Sequence, residues 1–469
     1  MRATLRLKTR HVPNRPNQGK KGEAWRVVLA VGFLVVAVLG RPWQAKAEDV
    51  LPKISGSVSM NDAVDLAIQH SRKIKAAGAD QRVMNSMRRE ALSGFLPQVS
   101  ANGYLVSQNM TQNIYNSAGD TMARNFQLTP TNHFQDLNFT AMWPIFSGGR
   151  TYYGYKAANA RAEAAERMLR GTETDVAMQA RLDYIAAVKE AENARVTGDL
   201  VRQTEERLRV SREELAAGRA AQFNVLRDEA ELANAIQMDT MAKNQAQLAL
   251  IALKTTLGVD LSSTMTLTEP LQYQSTSVSV EEGIRQALEN NPEVQAASKE
   301  VEASEAEIRA ALGRYLPEVA ATWMYDWQRL QNRGEPTDKP NGYSAGLVIT
   351  IPLFDGFMRE SAIGTARAKR DKAQELLTQA RQQVSKDVNQ AALMFGAAEQ
   401  NVDASRKGLD QAEEQFRIVQ ERYAGGRGIQ LEVLDAQTAL TRARFNAVSA
   451  LADYNSARAM WLRAVGQVR

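Results

Sequence analysis

Gly94-Phe95-Leu96-Pro97-Gln98-Val99 returns 220 positions later as Arg314-Tyr315-Leu316-Pro317-Glu318-Val319, and this repetition organises the chain. A second run, Pro144-Ile145-Phe146-Ser147-Gly148, returns as Pro352-Leu353-Phe354-Asp355-Gly356 at an offset of 208. At the same offset Val225-Leu226 falls on Val433-Leu434 and Gly258 on Gly466. One unit of about 200 residues is therefore present twice. Solenoid repeats are far shorter, about 20 to 50 residues, so the unit is a duplicated domain half related by pseudo-symmetry. The offsets differ by 12, which confines the length difference to 99–139 in copy one or 319–347 in copy two. A segment that tolerates such a change is a loop tip.

The conserved ends of each unit frame stretches with period two. In copy two Val319, Ala321, Trp323, Tyr325 and Trp327 alternate with Glu318, Ala320, Thr322, Met324 and Asp326, and Tyr343, Ala345, Leu347, Ile349 and Ile351 alternate with Ser344, Gly346 and Thr350. In copy one Val99, Ala101, Gly103 and Leu105 form such a face, and Leu137, Phe139, Ala141 and Trp143 stand against Asp136, Asn138 and Thr140. The pattern predicts four strands per chain, at about 98–108, 135–146, 318–329 and 343–354, with an aromatic-rich outer face. Strands of about ten residues suit a tilted crossing of a bilayer. A small sheet packed on a soluble core would alternate in the same way, but Tyr325, Trp327 and Tyr343 gather near the loop ends as an interfacial girdle does. Proline breaks ladder and helix bonding alike, so Pro97, Pro144, Pro317 and Pro352 are expected at the four strand–helix junctions. Four strands cannot close a barrel, and an open edge in lipid leaves backbone groups unpaired. The chain is expected to oligomerise, and a trimer supplies twelve strands.

The remainder of each unit reads as long helix. Val388, Phe395, Val402, Leu409, Phe416 and Tyr423 recur every seventh residue, with Ala391, Ala398, Ser405, Ala412 and Val419 between them. The returning helix carries Val433, Leu440, Ala447, Tyr454 and Trp461, interleaved with Ala436, Ala443, Ala450, Ala457 and Ala464. A 3.5-residue period specifies a left-handed coiled coil. Copy one places Asp183, Glu190, Asp228 and Asp239 in its seams, where polar groups line water or fix register. A helix over about 151–217 would span about 100 Å, and helices over about 59–95 and 222–256, end to end, nearly match it. The fold class is thus α+β, a duplicated unit of long coiled-coil helices plus four strands. Residues 48–258 form the first repeat with a tip turn at about 215–224, 259–279 a polar β-prone linker, and 280–469 the second repeat with a tip turn at about 423–432.

Charge and cysteine content narrow the function. Residues 1–26 carry eight Lys or Arg, Val27 to Leu39 is an apolar run of thirteen, and Ala45-Lys46-Ala47 offers a cleavage site. Residues 1–47 read as a secretory signal peptide. Its removal takes ten basic and one acidic residue from the 58 and 53 of the chain, leaving 48 and 52 and a net charge of −4. The basic surplus that would suggest nucleic acid leaves with the leader. The chain has no cysteine, which excludes a disulfide framework and a cysteine-linked lipid. No later stretch is long and apolar enough for a transmembrane helix.

A Leu-Pro start to the first strand of each unit, a Pro-x-Phe-x-Gly exit from the second, and the tip Tyr423-Ala-Gly-Gly426-Arg-Gly-Ile-Gln-Leu-Glu432-Val-Leu-Asp435-Ala resemble the TolC-like outer-membrane efflux proteins over residues 55–469. The resemblance implies an outer-membrane protein, a homotrimer with a twelve-stranded barrel continuous with a helical barrel in the periplasm. It implies contact with outer-membrane lipid, a periplasmic adaptor, and an inner-membrane ABC or proton-driven transporter, serving type I protein secretion or small-molecule efflux. It also implies a periplasmic gate, in which Tyr423, Glu432 and Asp435 match the family's Tyr and acidic positions, while Arg427 stands one residue from the family's Arg, which aligns with Gly428. Glu432 and Asp435 are three apart and share a helix face, so three chains would gather six carboxylates in a cation-attracting ring. The same two residues would equally complement a helix N-terminus. Copy one has Leu215, Asn224 and Arg227 at the equivalent places. Gly218 and Gly426 are expected at positive φ in the tip turns, with Gly218, Arg219 and Gly426 as candidate adaptor contacts.

Enzyme chemistry finds no support in the chain, and no cofactor, metal or catalytic residue is expected. His11 lies in the leader, His70 and His133 are isolated, and no H-E-x-x-H or P-loop is present. Gly148-Gly149-Arg150 reads as a strand exit. A soluble periplasmic coiled-coil adaptor or rod without a pore is the competing reading, opposed by the aromatic alternating strands.

Overall fold

The computed structural model describes residues 51–108, 132–218, 221–275, 278–331 and 341–466. The expected leader lies outside the described residues, as do Arg219 and the loop tips at 109–131 and 332–340. The elements run β1 (Ser55–Val58), α1 (Met60–His70), α2 (Arg72–Ser93), β2 (Gln98–Gln108), β3 (Asn132–Ser147), α3 (Arg150–Ala216), α4 (Gln222–Leu257) and β4 (Thr264–Leu267) in sequence. Then come α5 (Val280–Asn290), α6 (Pro292–Leu312), β5 (Glu318–Gln331), β6 (Asn341–Thr350), α7 (Met358–Ala424) and α8 (Gln430–Ala464).

The helix expected over 59–95 is in fact two, α1 and α2, broken at Ser71. Ser71 takes a non-helical ψ of 126° and its hydroxyl caps the Ile74 N–H. The second copy breaks at Asn291, whose side chain caps Glu293 and Val294 while Pro292 opens α6. A capping side chain offers the freed amides a partner, so each helix restarts at little cost.

The four long strands form one antiparallel sheet in the order β2-β3-β5-β6, so the two copies join through β3 and β5. Register aligns the alternation across the sheet: Ala101 faces Phe139, Phe139 faces Tyr325, and Tyr325 faces Tyr343. One face is therefore apolar from edge to edge. On the other, Ser100 bonds Thr140 at 2.7 Å and Asn102 donates to Asn138 at 2.9 Å. Pro97 and Pro317 stand immediately before β2 and β5. Pro144 does not mark a junction: it lies inside β3, where the ladder shifts register between Pro144 and Phe146. A bulge accommodates the missing amide and lets the strand continue. In the second copy β6 stops at Thr350, short of the expected 354, and Pro352 sits in an elbow that ends at α7.

Each strand-to-helix elbow contains two successive residues at positive φ, Gly148 and Gly149 in copy one and Gly356 and Phe357 in copy two. At Gly148 the reason is also proximity, since a Cβ there would lie 2.2 Å from the Gly313 carbonyl oxygen. Two backbones touch where the copies meet.

α3 and α7 hold 67 residues each, about 100 Å of helix. α3 occupies the middle of the helical layer. Near the sheet it packs between α2 and α6, and farther down between α4 and α8, while α7 covers α6 and α8 on one side only. Arg161 on α3 pairs with Glu307 on α6 at 2.6 Å. At the waist β4, within the 259–279 linker, pairs in parallel with β1. Tyr184 of α3, fully buried, donates to the Val58 carbonyl at 3.2 Å and accepts from the Glu269 N–H at 3.2 Å. Around it Ala63, Ala67, Ala180, Leu253 and Leu257 form the largest core cluster. In copy two the heptad residues Phe395, Val402 and Tyr454 form another.

Candidate functional site

The two helical hairpins, α3–α4 and α7–α8, end side by side. α7 closes with Gly425 and then Gly426 at φ +70°, and the Gly426 N–H donates to the Tyr423 carbonyl and the Arg427 N–H to the Arg422 carbonyl, at 2.9 and 2.8 Å. This pair of bonds is a Schellman cap, which needs a left-handed residue between them. Gly218 likewise stands at φ +69° and donates to the Leu215 carbonyl at 2.9 Å. A Cβ at either glycine would meet nothing within 4 Å. Backbone conformation is what each position requires.

Tyr423, in the last turn of α7, is half-buried and donates its hydroxyl to Glu214 of α3 at 3.4 Å. Burial, then the nearby charge of Glu214, pushes the phenol up from its ordinary pKa and keeps it a donor. Behind it lies a polar group that links the two copies. Asp228 of α4 is wholly buried and accepts from Arg207 Nε at 2.9 Å, Gln430 Nε2 at 2.8 Å and the Ser211 hydroxyl. Arg207 also donates to Gln437 of α8. A buried carboxylate is tolerated only when paired and hydrogen-bonded in this way. Residues from α3, α4 and α8, together with Gln430 at the start of α8, therefore meet on one charge. Asp183, Glu190 and Asp239, the other acidic seam residues, likewise have partners: Thr256 donates to Asp183, Asn193 to Glu190, and Thr197 and Lys243 bind Asp239.

The remaining expected gate residues are not drawn together within one chain. Glu432, in the first turn of α8, turns back toward the tip, its Oε2 3.9 Å from Arg422 Nη2. Asp435, one turn on, is exposed and lines an open groove between α7 and α8 with Arg442 and Asp453. Arg427 is exposed, and its carbonyl accepts from Arg422 at 3.4 Å. Apolar side chains surround both turns: Phe223, Leu226 and Ile429 are mostly exposed.

The Outer membrane efflux protein family matches residues 63–259 and 283–467, one segment for each copy. The chain belongs to this family. It is 25% identical over 418 residues to "Protein CyaE" of Bordetella pertussis, covering 88% of this chain and 84% of that protein. It is 23% identical to "Outer membrane efflux protein BepC" of Brucella suis, over 88% of this chain and 86% of the relative. Its fold superposes on the CmeC outer membrane channel of Campylobacter jejuni with a TM-score of 0.74 at 15% identity, covering 90% of each chain. The protein is an outer-membrane export channel. The reading as a poreless periplasmic rod is set aside.

Proposed function

We propose that three copies of this chain form one export duct, a twelve-stranded barrel continuous with a helical barrel, which receives cargo from an inner-membrane transporter through a periplasmic adaptor. The observation that carries this is the pair of free edges. Among the described residues β2 and β6 each pair on one side only, and the helical layer ends on α7 at one side and on α2 and α4 at the other. Lipid does not tolerate an unpaired strand edge. The edges differ, so they join head to tail, and a heterologous contact closes into a ring when the rotation allows. Light scattering in detergent, corrected for bound detergent, is expected to give three times the mature chain mass. A stable monomer would refute the barrel.

The tips are the proposed gate and the docking end for the adaptor. Tyr423–Glu214 and the Asp228 group hold the hairpins of one chain together, and Gly218 and Gly426 with the apolar residues around them offer the adaptor a low-relief surface, with Arg219 as a further proposed contact. Asp435 opens toward the α7–α8 groove, and three copies of it with Glu432 would make the acidic constriction. Changing Glu432→Gln and Asp435→Asn together is expected to lower cation selectivity in planar bilayers and weaken block by multivalent cations, with little change in trimer stability. Unchanged selectivity would mean that these carboxylates serve only the start of α8, a role worth about 0.3–1 kcal/mol each.

A further inference from the structure

We propose that the elbow between β6 and α7 is a lipid anchor, seating Leu353, Phe354 and Phe357 in the apolar margin of the outer membrane's periplasmic leaflet. The proposal rests on the sheet being the membrane part, and it begins from Phe357. Its φ of +66° makes it the only non-glycine residue at positive φ among those described. The first copy has Gly149 at this place, φ +79°. A bulky residue is strained in the left-handed region and persists where something outside the backbone favours it. The chain keeps an aromatic where its own duplicate uses glycine.

The elbow is apolar outside and polar inside. Leu353, Phe354 and Phe357 are 88%, 77% and 67% exposed, and the two rings meet edge to face at 5.8 Å. Leu353 continues the odd-numbered exposed apolar row of Tyr343, Leu347, Ile349 and Ile351. Arg359, by contrast, is buried, donating to the Pro352 and Leu353 carbonyls at 3.0 and 3.2 Å, pairing with Asp355 at 2.9 Å and lying over the Tyr315 ring. Carbonyls facing water need no such partner, whereas carbonyls at an apolar boundary do. Aromatic side chains collect at that boundary.

The duplication decides between lipid and a second copy as the occupant. In copy one the seam that a neighbouring subunit would form is already made within the chain, by β3 and β5. There Gly148 meets Gly313 across the seam, but a Cβ at 149 would meet only Tyr153 of its own helix. Ile145 and Phe146, the counterparts of Leu353 and Phe354, remain 55% and 46% exposed beside that closed seam. A subunit seam therefore leaves these positions uncovered, and lipid is the partner they fit.

The absence of native cysteine allows a direct test. Phe357→Cys and Leu353→Cys, each carrying a nitroxide, are reconstituted as full-length oligomers in phosphatidylcholine–phosphatidylglycerol vesicles. Collisional accessibility to oxygen and to a water-soluble nickel chelate is then read by electron paramagnetic resonance, with Leu347→Cys as the sheet-face reference and Gly218→Cys as the tip reference. We expect both elbow labels to favour oxygen over nickel several-fold, as the Leu347 position does. A nickel-accessible elbow beside an oxygen-accessible Leu347 label overturns the anchor alone, and low accessibility to both reagents overturns it in favour of a protein contact. Nickel access at Leu347 as well would overturn the membrane assignment of the sheet, and the anchor with it.

Discussion

Asp228→Ala is expected to release the tips and raise single-channel conductance several-fold in planar bilayers. Asp228 is wholly buried, Arg207 beside it is 14% exposed at its side chain, and removing the carboxylate strands the guanidinium. Breaking a buried pair from one side costs about 3–5 kcal/mol. A surface pair such as Arg417–Glu414, with both side chains 56% exposed, is worth about 0–1 kcal/mol. The substitution also takes the partner from Gln430, which ties the start of α8 to α4. Arg207→Leu combined with Asp228→Leu should close the tips again in part, because an apolar pair of similar volume leaves no charge stranded. Tyr423→Phe should act in the same direction but more weakly, since it removes one long hydrogen bond, worth about 1 kcal/mol. Wild-type conductance in Asp228→Ala would show that the buried group does not hold the tips together.

Gly148→Ala is expected to abolish assembly almost completely, measured as the fraction of heat-resistant oligomer recovered from outer membranes. The added methyl would lie 2.2 Å from the Gly313 carbonyl oxygen and 2.9 Å from Leu316 Cβ, at a φ of +63° that alanine disfavours. The obstacle is backbone, so no rotamer relieves it, and the β3–β5 seam must part. Gly426→Ala is the internal control. It carries the same strain at φ +70° but lies at the helical tip and has no atom within 4 Å of the new carbon, so it should cost only about 1–3 kcal/mol and leave much of the oligomer intact. Equal losses in the two variants would assign the effect to φ and not to the contact between the copies.

These contrasts show which parts of the molecule the chain announces. Strands and long helices were readable because their periods, 2 and 3.5, recur in two copies, and a true pattern reinforces itself at the repeat offset. The break at Ser71 has no proline to announce it, whereas Asn290-Asn291-Pro292 marks the same break in copy two by a capping residue followed by proline. Pro144 misled because proline stops a strand only where the ladder cannot bulge. The tip turns were legible from glycine alone. Asp228 was visible as a charge in an apolar seam, but its partners Arg207, Ser211 and Gln430 come from two helices whose neighbourhood no local period reveals. Glu214 as the acceptor for Tyr423 was hidden for the same reason.

The waist pairing also sets an order of events during export of the chain itself. β1 has no ladder partner until β4 has been synthesised, and Ile54 donates to Ser263 across 209 positions. Contacts of such separation form late, because a long loop must close before they stabilise anything. α3 waits longer still, since α6 and α8 arrive only with the second repeat. A chain threaded N-terminus first through a translocon therefore presents its first half with the faces of α3 that α6 and α8 will cover still open, and the periplasm must keep those faces from aggregating until the last helix emerges.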